Sequence, residues 1–408
     1  MQRENIPAEF DNIRPYSPEE LPQVFQELLA DEQFMQVATQ MVPDLKGKVG
    51  SLLAATPAST SRQEVQGAPK MLTNLDVQKV FFYPLVKHII DTCSEGLDLT
   101  IPEDFDRAQP HTFVTNHRDI VLDSAFLSVL LVENGFPTTV EIAIGDNLLI
   151  YPWIKKLVRI NKSFIVQRSL PPRQAFAASM VMSRYMHFAI NQKRENIWIA
   201  QREGRAKDSD DRTQEAILKM MTMGGEGSVI ARLKDLHIVP MALSYEWDPC
   251  DYLKAKEFQQ KRDVVGFKKS REDDLMNMQT GIFGKKGRIH FEAAPCINPW
   301  LDTLDPDMPK TELFPLVAKH IDSEIHRCYR LYPSNYVAAD QLSGSGKRHY
   351  SAHYSDHDRD AFSFYIDSRL AQIDLPEPDY AFLRERLLTM YANPVINHEA
   401  AVSGGSYK

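Results

Sequence analysis

No stretch of this sequence stays apolar for the roughly 20 residues that a membrane-spanning helix needs. The longest apolar run, Ile120 to Val132, is interrupted by Asp123, so any membrane contact is expected to be peripheral. The opening residues, MQRENIPAEFDNIRP, lack the basic-then-apolar pattern of a signal peptide. Cysteine is scarce. Cys93, Cys250, Cys296 and Cys328 are scattered with no CxxC pair, which argues against a disulfide framework or zinc site and for reduced, partly buried thiols. A G-x-S-x-G elbow is missing, so a hydrolase-type serine nucleophile is not expected. An excess of positive charge is missing too: the net charge is −8, which disfavours nucleic acid as a partner. What is present is 408 residues, 43% hydrophobic and 25% charged, enough for two or three domains with a substantial core.

The first 105 residues read as a helical N-terminal region. SPEELPQVFQELLADEQFMQVATQMV places apolar residues at three- and four-residue steps, and Ser17 with Glu20 spells a capping box. A breaker-rich stretch, GSLLAATPASTSRQEVQGAPK, separates it from a second helical segment that contains Pro84. From about residue 106 to 335, short β-rich runs alternate with helical ones: HTFVTN, TTVEIAIG, KSFIVQR, NIWIAQ and LHIVPMALSY each precede a helix or a loop. That alternation predicts an α/β layer fold with a largely parallel central sheet. Residues 250 to 285 are charged and read as an insertion. GRIHFEAAPCI reads as a further strand, and TELFPLVAKHIDSEIHRCYRLYP as the last helix of the layer. Residues 336 to 408 read as a linker and C-terminal helices, with the last ten residues frayed. Pro240 within IVPMA suggests an edge strand or a bulge.

Ligands of such sheets sit beyond the carboxyl ends of the strands, and three polar clusters fall there. Asn116-His117-Arg118-Asp119-Ile120-Val121-Leu122-Asp123 puts a histidine at a strand end with carboxylates one helical turn away. A carboxylate that accepts the Nδ1 hydrogen would fix the tautomer for general-base work; a loop histidine beside capping aspartates would look the same. KSFIVQR ends on Arg168, which could hold a phosphate or simply face solvent. The turn Arg202-Glu203-Gly204-Arg205-Ala206-Lys207 combines a permissive glycine with basic side chains, suited to an anion and equally to an exposed charged turn. Between Asp146 and Glu195 no acid occurs, while nine Lys and Arg do, a local positive field suited to a phosphate, an acidic carrier or anionic lipid. Within it, Leu148 to Ile160 with Tyr151 and Trp153 reads either as a helix lying on a membrane or as a core-packing helix with a basic outer face.

In this order NHRDIVLD, FIVQR, QREGRAKD and IVPMA resemble the glycerophospholipid acyltransferase family over roughly residues 110 to 300, and the helical region before them is similar to that of the soluble plastid-type glycerol-3-phosphate acyltransferases. Two departures stand out. The family has four residues between its histidine and aspartate, whereas five separate His117 from Asp123 and Leu122 holds the family's position; Asp123 is favoured as partner over Asp119. Arg205 aligns with the family's arginine, with Glu203 one place late. The resemblance implies an O-acyltransferase moving a fatty acyl group from acyl-CoA or acyl carrier protein to glycerol-3-phosphate or its 1-acyl form. His117 would be the base, Asp123 or Asp119 its partner, and Asn116, Arg118, Arg168, Glu203, Gly204, Arg205 and Lys207 the substrate-binding set. It implies no metal and no cofactor beyond the acyl thioester, and a cytoplasmic protein able to meet the inner face of the membrane. A catalytically inactive lipid- or carrier-binding protein of the same fold is the alternative.

Overall fold

Strands whose side chains are apolar on both faces need cover on both sides, and these sequences supply it. The computed structural model describes residues 6–41, 44–54, 72–168, 170–344 and 348–404. The N-terminal part is helical: α1 (Leu21–Ala30), α2 (Glu32–Met41), α3 (Leu45–Ala54), α4 (Asn74–Val77), a π-helical turn (Gln78–Phe82) and α5 (Tyr83–Cys93). The Ser17 capping box is only half formed. Glu20 reaches back to the Ser17 N–H at 2.6 Å, but a turn intervenes and the helix begins at Leu21. Of the breaker-rich stretch, residues 50–54 continue α3 and the remainder lies outside the described residues.

The layer then runs β1 (Gly96–Thr100), β2 (Thr112–Thr115), α6 (Leu122–Glu133), β3 (Val140–Gly145), α7 (Pro152–Ile160), β4 (Ser163–Val166), α8 (Pro172–Phe188), β5 (Asn196–Ala200), α9 (Glu215–Met221), α10 (Val229–Asp235) and β6 (Ile238–Tyr245). It continues with α11 (Asp251–Asp263), α12 (Arg271–Phe283), β7 (Arg288–Ala293), α13 (Asn298–Leu301) and α14 (Lys310–Arg327), and closes with α15 (Pro333–Leu342), α16 (Asp356–Leu370) and α17 (Tyr380–Val402). Among the described residues the strands form one sheet in the order β1-β7-β6-β2-β5-β3-β4. From β6 to β4 all pairs are parallel; β7 is antiparallel to β6 and parallel to β1. The α/β expectation holds.

One face of the sheet packs on α8, α9 and α14 through Tyr185, Met221 and Val317; the other packs on α5 and α6 through Ile89, Phe126 and Leu130. Helix α6 is apolar on nearly all sides and is buried accordingly.

Several expectations are corrected. β1 falls inside the segment read as helical, because an edge strand with alternate residues half-buried (GLDLT) is too short to stand out from its helical neighbours. Pro240 is not at an edge: β6 lies between β2 and β7. Its missing N–H is tolerated because the β6–β7 ladder ends at Met241↔Ala293, one residue away, while the Pro240 carbonyl still accepts from the Ala294 N–H at 2.9 Å. The charged stretch 250–285 is two helices, α11 and α12, that pack onto the fold, and α17 stays helical to Val402 where fraying was expected from residue 399. Among the described residues no helix is long and apolar enough to cross a membrane.

Helix α14 carries a buried pair of titratable groups under the loop 201–214. The His326 imidazole sits against the Asp211 carbonyl at 3.1 Å, and burial, helped by the Arg212 charge, pulls its pKa down to about 4. Burial pushes the Asp322 carboxyl up to about 6, although Thr213 donates to it from both its N–H and its hydroxyl. The unfolded chain protonates His326 at an ordinary, higher pH, so its contribution to stability is complete above about 6.5 and is lost as the pH falls towards 4. Asp322 acts with the opposite sign: its contribution is complete below about 4 and is lost as the pH rises through 6. His326→Gln should therefore make stability fall more steeply with rising pH between 4 and 6.5, and Asp322→Asn should make it climb. Urea midpoints across that range measure both; parallel curves for the two variants would refute the assignment.

Candidate active site

The carboxyl ends of the parallel strands β2, β4 and β5 all point to one rim of the sheet, and the three polar clusters lie beyond them. Adjacent β2 and β5 bring the first and third together, with the Gln201 N–H donating to the Thr115 carbonyl at 2.8 Å.

Asp123, in the first turn of α6, is fully buried and organises the first loop. Its Oδ2 lies 2.7 Å from His117 Nδ1 and accepts the Arg118 N–H at 2.7 Å; its Oδ1 accepts the Tyr245 hydroxyl at 2.8 Å, and both oxygens are 3.1 Å from the Asp119 N–H. A carboxylate so placed can only accept from the ring nitrogen that faces it. It sets the proton of His117 on Nδ1 and leaves the lone pair on Nε2. The His117 ring meets Trp198 edge-on at 5.6 Å, which restricts its rotation. Asp119 has a different task. Its Oδ1 accepts from the Val121 and Leu122 N–H groups at 2.9 and 2.8 Å, and that turn takes up the fifth residue between His117 and Asp123. Burial, then the neighbouring Asp123 charge, raises the Asp119 pKa.

The other candidates divide. The Asn116 amide clasps β6, donating to the Leu243 carbonyl and accepting its N–H at 2.9 and 2.8 Å. Arg118, expected to meet substrate, is instead buried and ion-paired with Asp211 at 2.5 Å. The reason is electrostatic: burial alone would lower its pKa, and the Asp211 charge outweighs that and leaves it raised. Arg168 lies two residues beyond the end of β4, exposed, and pairs with Glu203 at 3.2 Å. Gly204 adopts φ +68°, the left-handed conformation that turns the chain. Lys207 is paired with Glu257 at 2.8 Å, and burial lowers its pKa.

Arg205 is different. Its Nη2 donates to Asn277 Oδ1 at 3.2 Å, while its buried Nη1 has no hydrogen-bond partner among the described residues. Burial opposes its charge, but Cys250, Asp119 and Asp248 more than compensate and the pKa is raised. A half-buried guanidinium with a buried, unused donor is a ready partner for an anion.

Sequence reasoning missed Tyr245, Asp211, Trp198 and the role of α12. Helix α12 crosses the His117 loop at Gly281, where a Cβ would lie 2.1 Å from Asp119 Oδ2; any side chain there would push the helix off the loop. Of these, only Tyr245 left a signal, since it ends the strand beside β2.

The acid-free run does not produce the expected field. Lys156 pairs with Glu27, Lys162 with Glu195, Arg184 with Glu9 and Lys193 with Glu141, and Arg159 is spent on the Arg14 and Asp11 carbonyls. The missing acids are supplied by distant segments. In α7, Trp153 packs on Phe34 at 5.7 Å, so the apolar face of this helix is covered by the N-terminal helices and the core-packing reading of Leu148 to Ile160 is the one realised.

None of the curated proteins compared matches this chain. The crystal structure of the 1-acyl-sn-glycerophosphate (LPA) acyltransferase PlsC from Thermotoga maritima overlaps 75% of this chain and 94% of its own at 10% identity, with a TM-score of 0.34; an overlap at that score settles neither fold nor activity. The family model described as Acyltransferase matches residues 96–244, from the first residue of β1 almost to the end of β6, the span that holds the His117–Asp123 pair and Arg205. Over that segment the chain is similar to the acyltransferase family.

Proposed function

We propose that this enzyme transfers a fatty acyl group directly from an acyl thioester, on coenzyme A or acyl carrier protein, to the hydroxyl of glycerol-3-phosphate or its 1-acyl form. The observation that carries the reading is the 2.7 Å contact of His117 Nδ1 with Asp123, together with a half-buried Arg205 whose buried Nη1 has no hydrogen-bond partner among the described residues. His117 Nε2 takes the hydroxyl proton as the oxygen attacks the thioester carbonyl. The tetrahedral intermediate collapses with cleavage of the C–S bond, and the departing thiolate takes the proton back from His117. Asp123 stabilises the imidazolium in between. Arg205 holds the acceptor phosphate, so that the hydroxyl meets the base in register and proximity supplies much of the rate. The test is thiol release from acyl thioester with and without each phosphorylated acceptor. Release that depends on an acceptor supports transfer; equal release without one means water is the acceptor, and silence with every donor and acceptor would leave the alternative of an inactive binding protein.

Arg205→Ala should raise the acceptor KM by about 10- to 100-fold, the loss expected for one charge-assisted hydrogen bond, with the thioester KM little changed. Initial rates with each substrate varied in turn measure this. An unchanged acceptor KM would move the phosphate site to another cation, Arg168 first.

A further inference from the structure

Of the four basic side chains expected at the site, three have an acid answering their charge: Arg118 has Asp211, Arg168 has Glu203 and Lys207 has Glu257. Arg205 is held by a neutral group instead. Its Nη2 donates to Asn277 Oδ1 at 3.2 Å, and its Nη1 is left without a hydrogen-bond partner among the described residues. An amide oxygen fixes the direction of a guanidinium without cancelling its charge, whereas a carboxylate does both. Asn277 is itself fixed. It is buried on α12, its Nδ2 donates to the Asp273 carbonyl at 2.8 Å, and its own carbonyl accepts the Cys250 thiol at 3.2 Å. The bond to Asp273 occupies the N–H side of the amide and turns its oxygen towards Arg205.

Helix α12 serves both halves of the site from one face. Asn277 and Gly281 are four residues apart, so they lie one above the other, about 6 Å apart along the axis at 1.5 Å per residue. Gly281 abuts Asp119 in the His117 loop, and Asn277 meets Arg205 in the next loop. Without the amide, the guanidinium would be drawn towards Asp119 and Asp248, whose charges already act on it. We infer that Asn277 is a positioning residue: it aims Arg205 at the phosphate of the acceptor and leaves the guanidinium charge for that anion, and through α12 it ties the anion site to the loop of the general base. The inference rests on the reading of Arg205 as the holder of the acceptor phosphate.

The probes are glycerol-3-phosphate and its 1-acyl form, with binding followed by titration calorimetry and turnover by thiol release. In Asn277→Ala, affinity for the acceptor that wild type binds should fall about tenfold, the size of one hydrogen bond to a charged group. The acceptor KM should follow it, with the thioester KM unchanged. Asn277→Asp keeps an oxygen in reach of Nη2 but answers the charge, so it should not rescue binding and should also lose about tenfold; a site that needed only a hydrogen-bond partner would accept it. In an Arg205→Ala background, Asn277→Ala should add less than about twofold, because its effect runs through that side chain. Circular dichroism shows which variants are folded, and either substitution at 277 decides the matter if the other is not. Wild-type affinity in a folded Asn277 variant, an equal rise in the thioester KM, or an undiminished effect in the Arg205→Ala background would overturn the inference. So would an acceptor affinity indifferent to Arg205→Ala, with acyl transfer left standing if thiol release still depends on the acceptor. A wild type that binds neither acceptor would overturn both. Binding with the expected pattern but no acceptor-dependent release would sustain the role of Asn277 and sink the catalytic reading.

Discussion

His117→Ala is expected to lower turnover by at least about a thousandfold at saturating concentrations of both substrates, with the fold unchanged. General-base catalysis alone contributes about 10²–10⁴, and here the acceptor is an alcohol that no other described base is placed to deprotonate: Asp119 is buried and committed to two backbone N–H groups. The side chain is dispensable to the architecture. Its one ion-pair partner is Asp123, which keeps Arg118, Asp119 and Tyr245 as donors after the ring is gone. Circular dichroism and thermal midpoints of the variant should therefore match wild type, and both KM values should move little. Wild-type-like turnover in the folded variant would end the general-base reading, while partial rescue by added imidazole would strengthen it.

Asp123→Asn is expected to cost about 10⁴ in turnover, and Asp119→Asn less than about tenfold. An amide at 123 turns an N–H₂ towards Nδ1, so the ring is forced to carry its proton on Nε2, where the lone pair is needed; mis-set tautomers of this kind cost about four powers of ten in related dyads. Asp123→Asn should also destabilise the fold, since this one fully buried carboxylate answers four donors. The Asp119 task is to accept two N–H groups through Oδ1, which an amide oxygen can do. Steady-state kcat and urea midpoints for the two variants decide it. If Asp119→Asn proves the more damaging, the orienting carboxylate has been misidentified.

Much of this was legible in the sequence because strands and helices of an α/β layer leave distinct periods, and because each polar cluster follows an apolar run that can only be a strand. Even with the off-pattern spacing, the carboxylate favoured from the sequence is the one in contact with His117: the helix after His117 starts at Leu122, so Asp123 is carried on its first turn whatever the loop before it does. What sequence could not give were contacts across large separations. Nothing local marks Asp211 as the counter-charge of Arg118 93 residues away, or Gly281 as the point where α12 crosses Asp119. The same blindness turned a basic segment into an expected surface field. Its neutralising acids, Glu9, Glu27, Glu141 and Glu195, belong to other elements, and only the folded chain brings them in.

The buried Arg118–Asp211 pair ties the histidine loop to the arginine loop, which makes the two unsuitable as interchangeable parts. Grafting residues 202–214 from a relative with no acid at 211 would strand the Arg118 charge in the interior, a fault on the order of 3–5 kcal/mol when one partner of such a pair is removed. Replacing residue 118 by a neutral one of similar volume in the same step should recover most of that loss. The two loops are thus coupled, and a library that varies residue 118 or residue 211 alone leaves a buried charge unpaired.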